Sequence, residues 1–264
     1  MYKKLFMVIL FCLFLFINIY GQTKPTELIF VSEDKENFPQ QLGNSDVYNM
    51  TKPGAAVEFL KKLEPLLNIK VVFTRMPWKK CLEDDLKNGK ADGAFLASYK
   101  KEREEFGVYP MKDGKPDTDK RVTTTTYVFY KLKGSKVDWD GTKVLNLSGS
   151  IGAQLGYSIV GDLKTMGYNP VETDDAKIGL KQLAMGRLEL FATLDDQGDF
   201  IIKNDPSLTG KLEMIAKPIV TKPYYLMLSK QFVEKNPVLA NKIWDTIKTL
   251  KDKEYNKIVV KYFN

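Results

Sequence analysis

A chain of 264 residues, 44% hydrophobic and 28% charged, with 18 glycines and 12 prolines, lies in the globular range and outside the disordered, collagenous and low-complexity classes. Its formal charge is +7 and it has no histidine, which removes Ser-His-Asp and Cys-His nucleophile systems, His-ligated zinc and the histidine pH switch. Of its two cysteines, Cys12 sits in an N-terminal apolar run and Cys81 is alone in the rest, so the mature chain holds neither an internal disulfide nor a multi-cysteine metal site. Cys81 reads as a packed residue.

Residues 1–21 read as a secretory signal. Lys3 and Lys4 form the positive start, Leu5 to Ile19 the apolar stretch, and Gly21 the small residue before the polar change at Gln22. The apolar run is shorter than the roughly 20 residues a membrane span needs, so cleavage and export are expected. Loss of two lysines with the leader leaves only a mildly basic chain. Lysine and glutamate alternate through Lys100-Lys101-Glu102-Arg103-Glu104-Glu105, which marks a solvated mixed surface and argues against a nucleic-acid partner.

Glu27 to Ser32 reads as a buried strand, followed by a polar loop with Asn37-Phe38-Pro39. Gly54 opens a helix with Val57, Leu60, Leu63 and Leu67 at three- and four-residue steps, and Ile69 to Thr74 is β-branched and strand-like. After Pro77-Trp78 come a short helix with Leu82 and Leu86, a turn at Asn88-Gly89 and a strand from Gly93 to Ala97. Such alternation predicts α/β layers. Near residue 110 the pattern changes: Met111 to Lys120 is polar, and Val122 to Leu132 is a long extended segment that reads as a crossing between lobes.

A second α/β run follows. It comprises a strand from Ser150 to Leu155, the turn Gly156-Tyr157-Ser158, a helix to Met166, a helix from Ile178 to Met185 and a strand from Leu188 to Thr193. Pro218 to Ser229 is extended again and reads as the second crossing. The C-terminal region is helical, with one apolar stripe from Val238, Ile243, Trp244, Ile247 and Leu250 and another from Tyr255, Ile258, Val259 and Tyr262. Two crossings place residues 22–124 and 223–264 in lobe 1 and residues 125–222 in lobe 2, with a cleft between them suited to a small ligand.

Taken in order, Asn37-Phe38-Pro39, Gly54 to Leu60 (GAAVEFL), Met76-Pro77-Trp78, Leu86 to Gly93 (LKNGKADG), Ser98 to Phe106, Ile151 to Ser158 (IGAQLGYS), Leu183 to Glu189 (LAMGRLE) and Lys261-Tyr262-Phe263 resemble the bacterial extracellular solute-binding proteins, family 3, of polar amino acid ABC importers. The resemblance covers most of the mature chain. It implies the type II, Venus-flytrap form of the two-lobed periplasmic binding protein fold with two interlobe crossings, a periplasmic location, monomeric state, no cofactor, and a membrane permease of an ABC importer as partner.

For the site, the resemblance implies that Arg103 of Ser98-x-x-x-x-Arg103 clamps a ligand carboxylate with Ser98 beside it, chemistry that suits the fork of guanidinium donors. Gly156-Tyr157-Ser158 resembles the family's turn at a helix N-terminus, an anion-binding geometry. There Ser158 either caps its helix or contacts ligand, and Tyr157 stands where a small residue is usual. The family's ammonium-holding acid falls on Leu194, so Asp195 is the candidate if an extra residue or bulge intervenes. Phe38 and Trp78 are the candidate aromatic walls.

The function expected is capture of a small polar solute, an amino acid or related carboxylate, without bond making or breaking. Two other classes remain open: a ligand-sensing protein that docks on a membrane receptor, and a secreted enzyme using carboxylates among Glu33, Asp34, Asp195 and Asp196, since paired acids do glycoside chemistry without histidine.

Overall fold

The computed structural model describes residues 24–264, so the secretory-signal reading of residues 1–21 lies outside the described residues. The first buried strand forms as β1, Glu27–Glu33. Its side chains alternate between two cores: Leu28 and Phe30 join one, Ile29 and Val31 the other, as the twofold period of a strand requires. Helix α1, Ala55–Lys61, buries Ala55, Ala56, Val57, Phe59 and Leu60. It starts at Gly54 because nothing larger fits: φ is +115°, and a Cβ there would lie 2.4 Å from Gln41 Cα and 2.5 Å from Gln40 O. Strands β2, Lys70–Met76, and β3, Gly93–Ser98, both pair parallel to β1.

The first expected crossing is strand β4, Thr123–Leu132. Next come β5, Ile151–Gln154; α2, Ser158–Thr165; β6, Val171–Thr173; α3, Ala176–Ala184; and β7, Leu190–Leu194. Helix α4, Asp195–Asn204, follows β7 without a break, so Asp195 and Asp196 open a helix with no bulge between them and the strand. Two carboxylates in a first turn complement the positive end of the helix dipole. After β8, Leu212–Met214, the second expected crossing is β9, Val220–Leu228.

These nine strands form the main sheet in the order β6-β5-β7-β4-β9-β3-β1-β2, with β8 on β4, and among the described residues two short two-stranded ribbons, Met111–Lys112 with Lys115–Pro116 and Asp138–Trp139 with Val144–Leu145, stand apart from it. Parallel strands make the two flanks, and the long strands β4 and β9 run antiparallel to each other and to their neighbours between them. Strand β9 changes partner along its length: Val220 to Tyr224 pair with β4, and Tyr224 to Leu228 with β3. The chain closes with helices α5, Lys230–Lys235; α6, Pro237–Leu250; and α7, Asn256–Phe263, which pack on the first flank. Ile243, Trp244 and Ile247 of the expected stripe are buried, whereas Val238 is 81% exposed, because it lies in the first turn of α6, at the edge of the packed face. None of the described helices is long and apolar enough to cross a membrane.

Candidate functional site

Each flank reverses strand order next to its first strand: the chain passes from β1 outward to β2 and back inward to β3, and from β5 to β6 and back to β7. The crevices beyond the carboxyl ends of parallel strands at such reversals are where ligands meet open α/β sheets. Those ends carry Glu33 on β1, Ser98 on β3 and Gln154 on β5. The loop after Glu33 is fixed from beneath by Arg75, whose guanidinium donates to the carbonyls of Glu33 (3.0 Å), Leu42 (2.9 Å), Lys35 (3.1 Å) and Gly43 (2.7 Å).

Arg103 sits one short helical turn beyond β3, in the segment Lys101–Glu105, where it is the buried residue. Its Nη1 donates to Ser98 O at 2.8 Å and Ser98 Oγ at 3.2 Å, and its Nη2 to Gly156 O of the opposite flank at 3.1 Å. Nε has no partner among the described residues, so the fork keeps donor capacity toward the crevice. The Trp78 ring lies beneath it, its centroid 5.5 Å from Arg103 Cζ.

From the other side comes the turn between β5 and α2. Gly156 takes φ +74°, a left-handed conformation, and Tyr157 is the residue flanking the helix start. The Tyr157 hydroxyl donates to Glu33 Oε2 at 2.5 Å, and Gln154 Nε2 donates to Glu33 Oε1 at 3.1 Å. Burial of this carboxyl raises its pKa to about 7 against the lowering effect of the Tyr157 bond, and burial drives the Tyr157 phenol well above its usual range. Ser158 makes no side-chain cap on α2; its Oγ accepts from Lys222 Nζ of β9 at 3.0 Å, while Lys222 also pairs with Asp162.

Glu33, Asn37, Trp78, Ser98, Arg103, Tyr157 and Ser158 therefore line one inner chamber. Its volume is about 20 Å³, enough for about one water, and Tyr157 forms part of its wall. Outside it, and sharing the walls Glu33, Trp78, Arg103, Tyr157 and Ser158, a groove of about 580 Å³ opens to solvent.

Five of the residues singled out in the sequence, Arg103, Ser98, Ser158, Trp78 and Tyr157, are thus brought together, and two are not. Phe38 is stacked on Phe200 of α4, with centroids 4.1 Å apart and planes 7° apart, and meets the Phe263 ring edge-on. Asp195 accepts from the Asp196 backbone N–H at its own helix start, and neither acid lines the inner chamber or the groove. Of the acids considered for catalysis, Glu33 and Asp34 line the groove together, and Asp195 and Asp196 line neither space. Burial raises the Asp195 pKa, and burial with the neighbouring acids raises that of Asp196 to about 6. Glu33 as a cleft group, Gln154 and Lys222 escaped the sequence reading; for the first two, position as the last residue of a parallel strand is the signal that finds them.

No protein-family model matches the sequence, and no curated protein matches it either. Solved structures do match over nearly the whole chain. An ancestral arginine-binding protein bound to glutamine is 19% identical, with 91% of this chain and 99% of that chain covered and a TM-score of 0.68. A histidine kinase sensor domain with similarity to periplasmic binding proteins is 16% identical, covering 91% and 97%, at TM-score 0.69. A binding component of an ABC transporter from Wolinella succinogenes, complexed with lysine, is 13% identical, covering 90% and 96%, at TM-score 0.69. The chain has the two-lobed fold of periplasmic binding proteins.

Proposed function

We propose that this protein is a periplasmic solute-binding protein that captures a small carboxylate-bearing solute between its lobes, residues 22–124 with 223–264 and residues 125–222, and presents the closed form to the permease of an ABC importer. The observation that carries the reading is Arg103: a buried guanidinium at the end of β3, oriented by Ser98, reaching the Gly156 turn of the opposite flank with donor capacity left over. A carboxylate is the group that matches such a fork. In this reading Arg103, Ser98, Trp78 and Ser158 contact the solute, Tyr157 is the wall it meets, and Phe38 and Asp195 serve closure and the helix start instead. Contacts to both lobes favour the closed state, and the shift equals the solute's differential affinity for closed and open forms. The binding proteins among the structural neighbours, bound to glutamine and lysine, support capture without chemistry.

A second reading has its own support. The lobes are joined by bonds between the chain's own residues, Tyr157 to Glu33 and Gln197 Nε2 to Glu36 O at 2.8 Å, and one neighbour is a sensor domain, so the closed form is also suited to docking on a receptor.

A thermal-shift screen of the mature chain against amino acids, amines, organic acids and short sugars tests the function. A ligand of the native state stabilises it by about 2.7 kcal/mol at a hundredfold excess over Kd. Carboxylates are expected to raise the melting temperature of the native sequence and not that of Arg103→Ala. An equal rise in both removes the clamp; stabilisation by sugars or amines alone removes the carboxylate class.

A further inference from the structure

Six buried side-chain oxygens have no hydrogen-bond partner among the described residues, and three of them gather at the end of β1. They are Asp34 Oδ1, Asn37 Oδ1 and Oε1 of Gln154, the residue whose Nε2 donates to Glu33. All three are acceptors, so only a donor completes them. A buried acceptor left unmet carries its full desolvation cost, which a donor arriving with a ligand removes.

Asn37 is 5% exposed and Glu33 7%, and both line the inner chamber together with Arg103. Each Glu33 oxygen takes one bond, from Tyr157 or from Gln154, and a carboxylate oxygen has a second lone pair, so Glu33 retains acceptor capacity. The chamber therefore has two poles: acceptors at Glu33 and Asn37, and the unpartnered Nε of Arg103. Its volume of about 20 Å³ suits a single group the size of a water, which an ammonium is. A solute that meets both poles of so small a space carries its two charges close together.

The other acids differ in setting. Asp195 and Asp196 line neither the chamber nor the groove. Asp174 lines the groove but is exposed, where water screens and solvates it. Asp34 also lines the groove; its side chain is 22% exposed and has Lys35 Nζ 4.0 Å from Oδ1. Attraction to a cation is least screened at the more deeply buried Glu33.

We infer that the inner chamber is an ammonium subsite: an amino acid whose carboxylate is held by Arg103 places its α-ammonium against Glu33 and Asn37, with its side chain in the groove. The inference rests on the solute-capture reading and completes its headgroup. It moves the ammonium from Asp195, after β7, to the end of β1. The groups facing Glu33 are Tyr157 and Gln154 from the second flank, Asp34 and Lys35 from its own loop, and Arg75, Tyr48 and Cys81 from its own flank, with Arg103 in the same chamber. Burial brings Glu33 to about 7 and moves Tyr157, Tyr48 and Cys81 upward, away from neutral pH. A cation in the chamber favours the ionised form of Glu33, so affinity for an amino acid rises with pH through that value and binding releases a proton.

Three pairs of probes isolate the α-ammonium: glutamine with 4-carbamoylbutanoate, lysine with 6-aminohexanoate, and phenylalanine with 3-phenylpropionate. Titration calorimetry of the mature chain at pH 8 is expected to give at least tenfold tighter binding of the amino acid in each pair that binds. Asn37→Ala and Glu33→Gln are expected to weaken the amino acid at least fivefold and to leave its amine-free partner within twofold, a split that a general loss of structure does not produce. Asn37→Asp, which keeps an acceptor there, is expected to retain the preference. Between pH 5.5 and 8 the amino acid is expected to gain at least fivefold in affinity with the native chain and to stay level with Glu33→Gln. Amine-free acids that bind as tightly as their amino acids, still dependent on Arg103, overturn the subsite, leave the clamp standing and assign the chamber to water. A preference that survives Asn37→Ala and Glu33→Gln but is lost in Asp34→Asn or Asp195→Asn overturns it in favour of that acid. Silence toward all six probes overturns the subsite and the carboxylate-capture reading together.

Discussion

Tyr157 and Glu33 meet across the cleft at 2.5 Å, the phenol of one lobe donating to the carboxylate that ends the first strand of the other. This contact buries the carboxyl, and burial raises its pKa from the ordinary 4.5 to about 7. An acid whose pKa is higher in the folded, closed state binds more protons there than in the unfolded chain, so its contribution grows less favourable as pH rises between the two values. The cost is absent below about pH 4.5 and fully present above about pH 7, on the order of 3 kcal/mol. Glu33→Gln removes it. The melting temperature of Glu33→Gln relative to the native chain is expected to be higher at pH 8 and to converge with it near pH 4.5; a difference independent of pH contradicts the burial of an ionisable Glu33.

Much of this arrangement was legible in the residues. Strand and helix periodicities located β1 to β3, both crossings and the second α/β run, because buried faces impose regular spacing on apolar residues. Arg103, Ser98, Trp78, Tyr157 and Ser158 could be named because they sit in short local motifs. What failed was long-range. Nothing in the sequence says that Phe38 meets Phe200, that Lys222 reaches Ser158, or that Tyr157 covers Glu33, since each pair is joined by the topology and not by spacing. Asp195 was a candidate only if an extra residue or bulge followed β7, and the helix that starts directly at Asp195 was not legible from the residues.

Arg103→Lys tests geometry separately from charge. Lysine keeps the positive charge but lacks the planar fork, so it cannot hold Ser98 O, Gly156 O and a ligand carboxylate together. Affinity for the carboxylates that stabilise the native chain is expected to fall at least tenfold, nearly as far as in Arg103→Ala. Affinity within a factor of two of the native chain would reduce Arg103 to a point charge.

The Phe38–Phe200 stack joins the loop after β1 to α4 of the other lobe, and stacked rings are worth about 1 kcal/mol beyond area burial. Phe38 is 7% exposed, so Phe38→Ala is expected to cost about 3 kcal/mol. In a double-mutant cycle with Phe200→Ala, measured by urea unfolding, a coupling energy of about 1 kcal/mol is expected. Additive effects would mean that the two rings do not stack in solution.

Trp244 and Val238 lie on one helix and predict opposite outcomes. The register of β9 against β3 shifts between Tyr225 and Met227, leaving Leu226 out of the ladder, and Trp244 Nε1 donates to its carbonyl at 2.9 Å. Trp244→Phe keeps a ring but orphans that buried oxygen, an expected cost of about 1–3 kcal/mol plus any cavity. Val238→Lys, at the exposed position, is expected to change stability by less than about 0.5 kcal/mol. Equal effects in chemical unfolding would contradict this placement of α6.

Gly54 supplies the sharpest test of the loop that carries the cleft. Its φ of +115° alone makes alanine unfavourable, and a Cβ would also lie 2.4 Å from Gln41 Cα and 2.5 Å from Gln40 O, backbone atoms that cannot swing aside. Those residues belong to the loop whose Gln41 Nε2 donates to Glu33 O at 3.0 Å, so a shift there displaces the cleft carboxyl as well. Gly54→Ala is expected to destabilise by at least about 3 kcal/mol. If the variant folds, it is also expected to weaken carboxylate binding; native stability and native affinity together would show that the loop does not approach α1 this closely.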